Sequence, residues 1–425
     1  MRYLPQTANA RKEMLKSVGV TSVDALFRNI PQEAFVDGLV DLPKHQGEIS
    51  VERDLVAMAS KNMNASDAPF FLGAGVYNHH IPASVDHIIQ RSEYLTAYTP
   101  YQPEIAQGTL QVIFEYQTFI SQLTGQEIAN ASMYDGSTAA TEAVLMALRI
   151  TKRDKIAIGT TLHPEYRKVL DSYMSNHKGR VVFEGEPDDE TACVIVQSPD
   201  FHGNPHKYEA WRKKCDEVGA LLIVVVTEIV SLGLLPAPDV ADIVCGEAQS
   251  VGLPMSYGGP HLGFFACREK YLRQMPGRLC GMTEDADGRR GFVLTLSTRE
   301  QHIRREKATS NICTNQGLCA LAFTVHMSLL GEGGFKKLAR LNHEAACRLA
   351  DALSAIDGVS VVNQSFFNEF VVELPKSAAG VVEDLATCGI IGGYALDDNR
   401  LLVAATEMTT EEQIEEFVNT LSEIL

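Results

Sequence analysis

Two polar stretches of the sequence carry side chains that could hold a charged ligand. Tyr98–Gln102 combines two tyrosines with a glutamine in a region rich in Gly and Pro, and Thr309–Asn311 places hydroxyl and amide groups among apolar residues. Such groups can bond a phosphate or a carboxylate, and they also suit a subunit interface or plain interface packing. Arg304, which precedes the second stretch, belongs to a basic run that is equally typical of a solvated helix end.

The turn Asp135–Thr138 is a third candidate for binding an anion. Ser137 or Thr138 is a natural N-cap for the helix predicted over Ala139–Arg149. The glycine at position 136 would let exposed backbone N–H groups approach an anion closely. The turn is therefore either a phosphate cradle or simply the cap of a helix.

No metal or redox site is predicted. His79 and His80 are adjacent, so both cannot point into one helix-built site, and no further His or carboxylate follows at ligand spacing. The nine cysteines are scattered without a CxxC pair, and Cys313 and Cys319 show no resolving partner. We expect reduced thiols in a cytoplasmic protein.

The charge and length of the chain exclude several classes of partner. A formal net charge of −17 argues against nucleic acid and against an anionic membrane, because phosphate binding needs clustered Lys and Arg. No apolar run approaches the roughly 20 residues of a membrane span, and the first residues lack the apolar core of a secretory signal. At 425 residues the chain is long enough for two or more domains.

The elements that must position these residues change in rhythm along the chain. Residues 1–60 have amphipathic helical spacing and predict an N-terminal helical arm. Residues 61–330 contain short apolar runs separated by helices, which is typical of an α/β domain with a mostly parallel sheet covered on both faces. Residues 331–425 predict a small α+β domain. Its strands are expected at Val359–Val362, Glu369–Leu374 and Arg400–Ala404, and its last helix from Thr410.

The order of these parts resembles that of pyridoxal-phosphate (PLP) enzymes of fold type I, the aspartate-aminotransferase-like fold. The resemblance implies an N-terminal arm, a seven-stranded large domain and a small C-terminal domain. It also implies that Asp242–Ala266 is the segment in which such an enzyme carries the lysine that forms an imine with the cofactor.

That segment contains no lysine. The lysine position falls on Gln249 when counted from the Gly258–Pro260 side and on Ser250 when counted from Asp242, and neither side chain can form an imine. No residue of this chain alone is therefore expected to be catalytic, and no covalent cofactor is expected on it.

A second departure from a working cofactor site lies at the end of the predicted strand that begins at Leu221. An aspartate would there pair with the pyridinium nitrogen of PLP, but the sequence has Thr227, which carries no charge. Glu228 is one residue further on, so we expect its side chain on the opposite side of the strand. With two such losses, an intact PLP site is not expected in this chain.

Longer motifs, spread over nearly the whole chain, narrow the resemblance. They resemble the glycine decarboxylase (P-protein) family of the glycine cleavage system. In some members of that family, P-protein is split into two polypeptides. By its length and its missing lysine, this chain resembles the first of the two, the alpha polypeptide. The motifs are Tyr98–Ile105, Gln107–Thr109, Phe114–Gln117, Ala129–Gly136 and Arg304–Thr314.

The resemblance implies a heteromeric oxidoreductase of glycine catabolism. A beta subunit would bind PLP, glycine would be decarboxylated, and the aminomethyl remainder would pass to the lipoyl arm of a lipoylated H-protein. Two alternatives stay open: a non-catalytic scaffold or regulatory subunit for a PLP enzyme partner, and a self-sufficient PLP enzyme with Lys307 as the nearest lysine. The residues expected to reach the partner's site across the interface are Tyr98, Tyr101, Gln102, Arg304, Thr309, Ser310 and Asn311.

Overall fold

The computed structural model describes residues 6–36, 38, 40–177 and 181–425 of the chain. Contacts between residues divide it into two compact units, Met1–Met63 and Asn64–Leu425. The domain limits proposed from the sequence stay predictions.

The described residues of the first unit form two α-helices, joined by a segment with two short 3-10 helices. Helix α1 spans Ala8–Val18; the Thr7 side chain caps its start, and Gly19 ends it in the left-handed conformation with φ 80°. Helix α2 spans Glu48–Ala59. No residue in the described part of this unit is buried, and α2 exposes apolar side chains such as Val56.

The second unit contains a seven-stranded sheet in the spatial order β1-β7-β6-β5-β4-β2-β3. Strands β2 to β6 run parallel, whereas β7 is antiparallel to both of its neighbours. The central strands are buried along their whole length, which confirms the predicted sheet covered on both faces. The strands are β1 Ile128–Ala129, β2 Lys155–Ile158, β3 Val181–Glu184, β4 Thr191–Gln197, β5 Leu221–Val226, β6 Ile243–Glu247 and β7 Gly263–Cys267.

Helices cover both faces of this sheet. On one face a core that includes Tyr116, Cys215 and Phe323 packs against the strands. On the other face, α6 and α7 bury residues such as Met146 and Leu170. The first helices of this unit are α3 Ala83–Ile89, α4 Ser92–Leu95, α5 Gln107–Thr124, α6 Gly136–Thr151, α7 Pro164–Ser175 and α8 Tyr208–Val218.

A hairpin and a long helix follow the sheet. Strands β8 (Leu279–Glu284) and β9 (Arg290–Thr295) pair antiparallel, and α9 is the single turn Gln301–Arg304. Helix α10 spans Gly317–Ser354 and is broken at Gly331, where φ is 57° and ψ is −176°. By length and composition alone α10 could cross a membrane, but half of its most apolar window is buried inside the protein, as expected of a helix that packs into a core.

The C-terminal part forms a four-stranded antiparallel sheet in the order β10-β11-β13-β12, with two helices. Its core also takes in Phe71, whose ring stacks on Phe417 at 4.4 Å between centroids. The segment near residue 70 therefore packs with this end of the chain. The elements are β10 Ser360–Val361, β11 Glu369–Glu373, α11 Ala378–Thr387, β12 Tyr394–Ala395, β13 Arg400–Ala404 and α12 Glu411–Ile424.

Candidate functional site

The Tyr98–Gln102 loop lies between α4 and α5 and is open to solvent. The Tyr98 side chain is 74% exposed and lines a cavity of about 260 Å³, and Gln102 is exposed as well. Part of the cavity wall is Thr314–Leu318, which leads into α10. The loop therefore lies beside the segment that follows Thr309–Asn311, the second of the two predicted polar stretches.

Tyr101 leads to a residue that sequence reasoning missed. The Arg278 guanidinium is 2% exposed and donates to the Tyr101 hydroxyl at 2.9 Å and to the Asn315 side-chain oxygen at 3.3 Å. Its Nε atom lies 3.3 Å from a carboxylate oxygen of Glu300, a second buried charge. Nothing in the sequence pointed to Arg278, because Tyr101 and Asn315 are 177 and 37 residues away along the chain.

Asn315 ties this cluster to the segment that enters α6. Its side-chain amide donates to the backbone oxygen of Ala131 at 3.2 Å and to the Ser132 hydroxyl at 3.0 Å. The same hydroxyl accepts from the backbone N–H of Gln316 at 3.1 Å. The loop, the start of β8 and the approach to α10 are thus joined by polar contacts.

The Arg304–Asn311 segment is held mostly through backbone groups. Thr309 N–H donates to the Arg299 carbonyl at 3.0 Å, and the Gln301 side chain donates to the Asn311 carbonyl at 2.6 Å. Arg304 is exposed and donates to the Thr298 carbonyl at 3.1 Å. Among the described residues, no hydrogen bond joins this segment to the Tyr98–Gln102 loop.

Ser310 faces inward, toward a carboxylate on α6. Burial raises the pKa of Glu142, and the hydrogen bond from Ser310 opposes that rise. The Ser310 hydroxyl also accepts from Ile312 N–H at 3.0 Å. Of the three residues in the predicted polar stretch, Ser310 is therefore already engaged within this chain, while Asn311 is exposed and Thr309 is half-buried.

The Asp135–Thr138 turn is a complete helix cap. The Asp135 carboxylate accepts from Thr138 N–H at 2.9 Å, and the Thr138 hydroxyl oxygen lies 3.3 Å from the Asp135 backbone nitrogen. These two contacts form a capping box, with Asp135 as the N-cap of α6. The backbone N–H of Gly136, in the same turn, donates to a carboxylate oxygen of Glu247 at 3.0 Å.

Glu247 thus places a carboxylate at the N-terminus of α6. It also accepts from the backbone N–H groups of Gln249 at 3.0 Å and of Leu262 at 2.7 Å. Burial raises the pKa of Glu247, and these N–H groups act against that rise. The helix end that could cradle a phosphate is therefore filled by an anion from the protein itself.

The two residues at the lysine position are both buried and bonded. The Gln249 amide donates to the Leu253 carbonyl at 2.7 Å, and the Ser250 hydroxyl donates to Glu228 at 2.9 Å. These contacts do not show which of the two residues occupies the lysine position. Either way, the side chain there is part of the packed interior.

The sequence predicted that the Glu228 side chain would lie on the side of the strand opposite to Thr227, and this prediction was wrong. Strand β5 ends at Val226, so side-chain alternation stops there, and Glu228 instead caps a short 3-10 helix, Ile229–Gly233, by accepting from Val230 N–H at 2.8 Å. Thr227 and Glu228 line the same cavity, together with Glu369.

That cavity has a volume of only about 10 Å³. Such a space holds one water molecule, whereas small-molecule sites measure about 300–1,000 Å³. With Glu247 at the helix end and no lysine at either position, the residues present do not fit PLP. Catalytic steps through the cofactor therefore cannot be assigned to this pocket.

A buried histidine, His79, lies between the Glu228 carboxylate and a second carboxylate, Glu407. His79 lies 3.1 Å from Glu228 through Nε2 and 3.0 Å from Glu407 through Nδ1. Burial alone would lower the pKa of His79, but the Glu228 and Glu407 carboxylates outweigh it and raise the pKa to about 10. His79 therefore carries a positive charge at neutral pH and joins the end of β5 to the C-terminal sheet region.

The chain has the fold of PLP-dependent transferases of fold type I. Sphingosine-1-phosphate lyase of Burkholderia pseudomallei has the same fold, with a TM-score of 0.65 and 15% identity over 92% of this chain and 94% of that one. The model of the family described as "Glycine cleavage system P-protein" matches residues 1–421. The chain belongs to the glycine cleavage system P-protein family, as its motifs predicted.

Bacterial relatives and a solved structure agree with this assignment. "Probable glycine dehydrogenase (decarboxylating) subunit 1" of Maricaulis maris is 55% identical, and that of Azorhizobium caulinodans is 56% identical, each over 100% of both chains. A crystal structure of glycine decarboxylase (P-protein) in inhibitor-bound form is 42% identical, covers 100% of both chains and superposes with a TM-score of 0.93.

Proposed function

We propose that this chain is the alpha subunit of a two-polypeptide glycine dehydrogenase (decarboxylating). With a beta subunit it decarboxylates glycine and transfers the aminomethyl group to the lipoyl arm of a lipoylated H-protein. The observation that carries this proposal is the end-to-end match to bacterial proteins named subunit 1. We further propose that the complex works in the cytoplasm, which suits nine free cysteines.

PLP, in this proposal, is bound by the beta subunit. When bound, it supplies the electron sink that stabilises the carbanion left by decarboxylation. The alpha chain's own pocket supports this division of labour, because its cavity of about 10 Å³ and its Glu247 carboxylate leave no place for the cofactor. What the alpha chain offers instead is a set of positioned hydrogen-bond donors on an exposed face.

The alpha chain's contribution comes from the two polar stretches predicted to reach the partner. Tyr98, Tyr101 and Gln102 are exposed on one loop, and Arg304 and Asn311 are exposed on the other segment. Thr309 and Ser310 are half-buried on that second segment. In the assembled enzyme these groups bind and orient the ligands of the partner's site, while the covalent chemistry takes place on the partner.

Release of labelled carbon dioxide from carboxyl-labelled glycine tests this function. Activity should require both subunits and lipoylated H-protein, and the chain alone should form no borohydride-reducible PLP adduct on any lysine. Activity of the beta subunit alone would refute a catalytic need for this chain. An alpha chain that serves only as a scaffold would restore activity even when Tyr101 and Thr309 are altered.

A further inference from the structure

Arg278 is a buried cation at the junction of three segments. It directly precedes β8, donates to Tyr101 of the exposed loop, and donates to Asn315 just before α10. Its guanidinium also lies 5.3 Å from the centre of the Tyr101 ring. Arginine suits such a place because its planar fork of donors can bond several oxygens at fixed angles.

Burying this charge is costly, which makes its contacts informative. Arg278 is 2% exposed and Glu300, its counter-charge, is 9% exposed. Taking two ions out of water carries a large desolvation cost, and an apolar pair of similar size is often as stable. Fold stability alone is therefore a weak reason for this pair, whereas fixing the geometry of an exposed loop is a sufficient one.

The direction of the hydrogen bond fixes what Tyr101 can do. Arginine carries only donors, so the Tyr101 oxygen accepts from Arg278, and the hydroxyl hydrogen is left to be donated elsewhere. The Tyr101 side chain is 49% exposed and also meets the His302 ring edge-on at 5.6 Å. Among the described residues no acceptor takes the hydrogen of this hydroxyl, so the hydrogen is available to a group outside the chain.

We propose that Arg278 is a positioning residue that holds the Tyr101 hydroxyl as a donor to an oxyanion in the partner subunit's site. This proposal rests on the proposed function. The oxyanion is either the phosphate of the cofactor or the carboxylate of glycine, since both are acceptors that a fixed donor recognises. The Asn315 side-chain oxygen accepts from the other terminal nitrogen of the same guanidinium and so helps to hold it in place.

The test compares four alpha variants in the assembled complex: R278K, Y101F, the double variant R278K/Y101F, and R212K. Lysine keeps the charge but lacks the planar fork whose two nitrogens bond Tyr101 and Asn315, and Y101F removes only the hydroxyl. R212K is the matched control, because Arg212 is a half-buried arginine of α8 that pairs with Asp242, outside the cluster. Assembly is checked by sedimentation before kinetics are measured.

R278K and Y101F should each reduce kcat/KM for glycine by about tenfold, and the double variant should show about the same tenfold loss instead of a hundredfold one. R212K should lower thermal stability without changing kcat/KM. If the oxyanion is the glycine carboxylate, KM for glycine rises in both variants. If it is the cofactor phosphate, the PLP concentration needed to reach half of the visible cofactor absorption rises instead.

Multiplied losses in the double variant would overturn the positioning role, because two independent contributions combine in that way. A normal R278K beside an impaired Y101F would overturn it too, and would leave the proposed function standing. If Y101F itself is fully active in an assembled complex, the assignment of the loop to the partner's site fails together with this inference. Should R278K fail to assemble, E300Q, which removes the counter-charge and keeps the guanidinium, replaces it with the same expected non-additivity.

Discussion

Single residues in the interior form a buried group of charges at the end of β5. His79 lies between Glu228 and Glu407, and Glu407 also accepts from the Asn342 side chain at 2.8 Å. The ion pairs join the end of β5 to the C-terminal part of the chain. A buried cation between two carboxylates is strongly stabilised only while it keeps its proton.

The charge on His79 predicts a loss of stability at high pH. Its pKa is about 10 in the folded protein against 6.5 without its partners, so the folded state binds this proton more tightly. The stabilisation is fully present below pH 6.5 and is lost as the pH rises toward 10. We expect the thermal midpoint of the complex to fall between about pH 7 and 10, and H79Q to flatten that fall while lowering stability at about pH 6.

Glu407 serves as the contrast within the same group. Burial acts to raise its pKa, but the hydrogen bond and charge of His79 outweigh this and lower it to about 2. Its stabilisation is present above pH 4.5 and disappears as the pH falls toward 2. E407Q should therefore also change how the thermal midpoint falls at acid pH. If the thermal midpoint of H79Q fell as steeply as that of the wild type at alkaline pH, the assignment of a charged His79 would be contradicted.

Glu247 supports a second prediction at the scale of one residue. E247A would leave the N–H groups of Gly136, Gln249 and Leu262 buried without an acceptor, at a cost of about 1–3 kcal/mol for each unsatisfied group. A small anion should then take the place of the carboxylate. We expect formate or phosphate to raise the thermal midpoint of E247A, measured by fluorescence unfolding, and to leave the wild type unchanged.

The control for this prediction is S250A, which removes a buried hydroxyl bonded to Glu228 without creating an anion site. Formate should not stabilise S250A. An equal response of E247A, S250A and wild type would mean that the anion acts through the general effect of salt on protein stability, and the internal-anion interpretation would be wrong.

At the scale of elements, the exposed loops and the closed pocket are expected to respond differently to mutation. The Tyr98–Gln102 loop and Thr309 lie on exposed or half-buried segments, whereas Gln249 is 2% exposed and lies in the packed interior. T309V and Y101F should leave assembly intact and lower carbon dioxide release from glycine at least about tenfold, the effect of one lost hydrogen bond to a charged group. Q249A should cost far less activity.

The matched comparison is made per assembled complex, because Q249A also removes a bond to the Leu253 carbonyl and can lower stability. The outcome that would reverse our assignment is a Q249A complex that assembles normally yet loses more activity than T309V. The region around Gln249 would then be the functional one. The membership of the family would not be affected.

The same elements show what the sequence could and could not reveal. Unbroken apolar runs such as Leu221–Val226 predicted buried parallel strands, because only a sheet covered on both faces tolerates them. The interior charges were invisible, since His79 and Glu407 are 328 residues apart and carry no local pattern. The orientation of Glu228 was predicted wrongly, because strand alternation was extended past the end of β5.

At the scale of the whole molecule, several large apolar side chains among the described residues are strongly exposed. Within the Met1–Met63 unit, Ile49 is 73% and Val56 61% exposed. Within the Asn64–Leu425 unit, Tyr257 is 93% and Ile105 79% exposed. Each of these is ordinary as a scattered residue, but together they suit a chain whose surface is covered by another subunit.

The last prediction is that this chain does not persist as a monomer by itself. Obligate interfaces bury more than about 2,000 Å² and are strongly apolar, so their surfaces associate when the proper partner is missing. We expect the isolated chain to self-associate with rising concentration in sedimentation velocity, and coexpression with the beta subunit to give a defined heteromer. The variant Y257S should reduce that self-association if the exposed ring contributes, with E415Q on the exposed side of α12 as the control. A sharp monomer peak at every concentration would show that the exposed apolar groups are not an interface, and the proposed obligate complex would have to be replaced by a transient one.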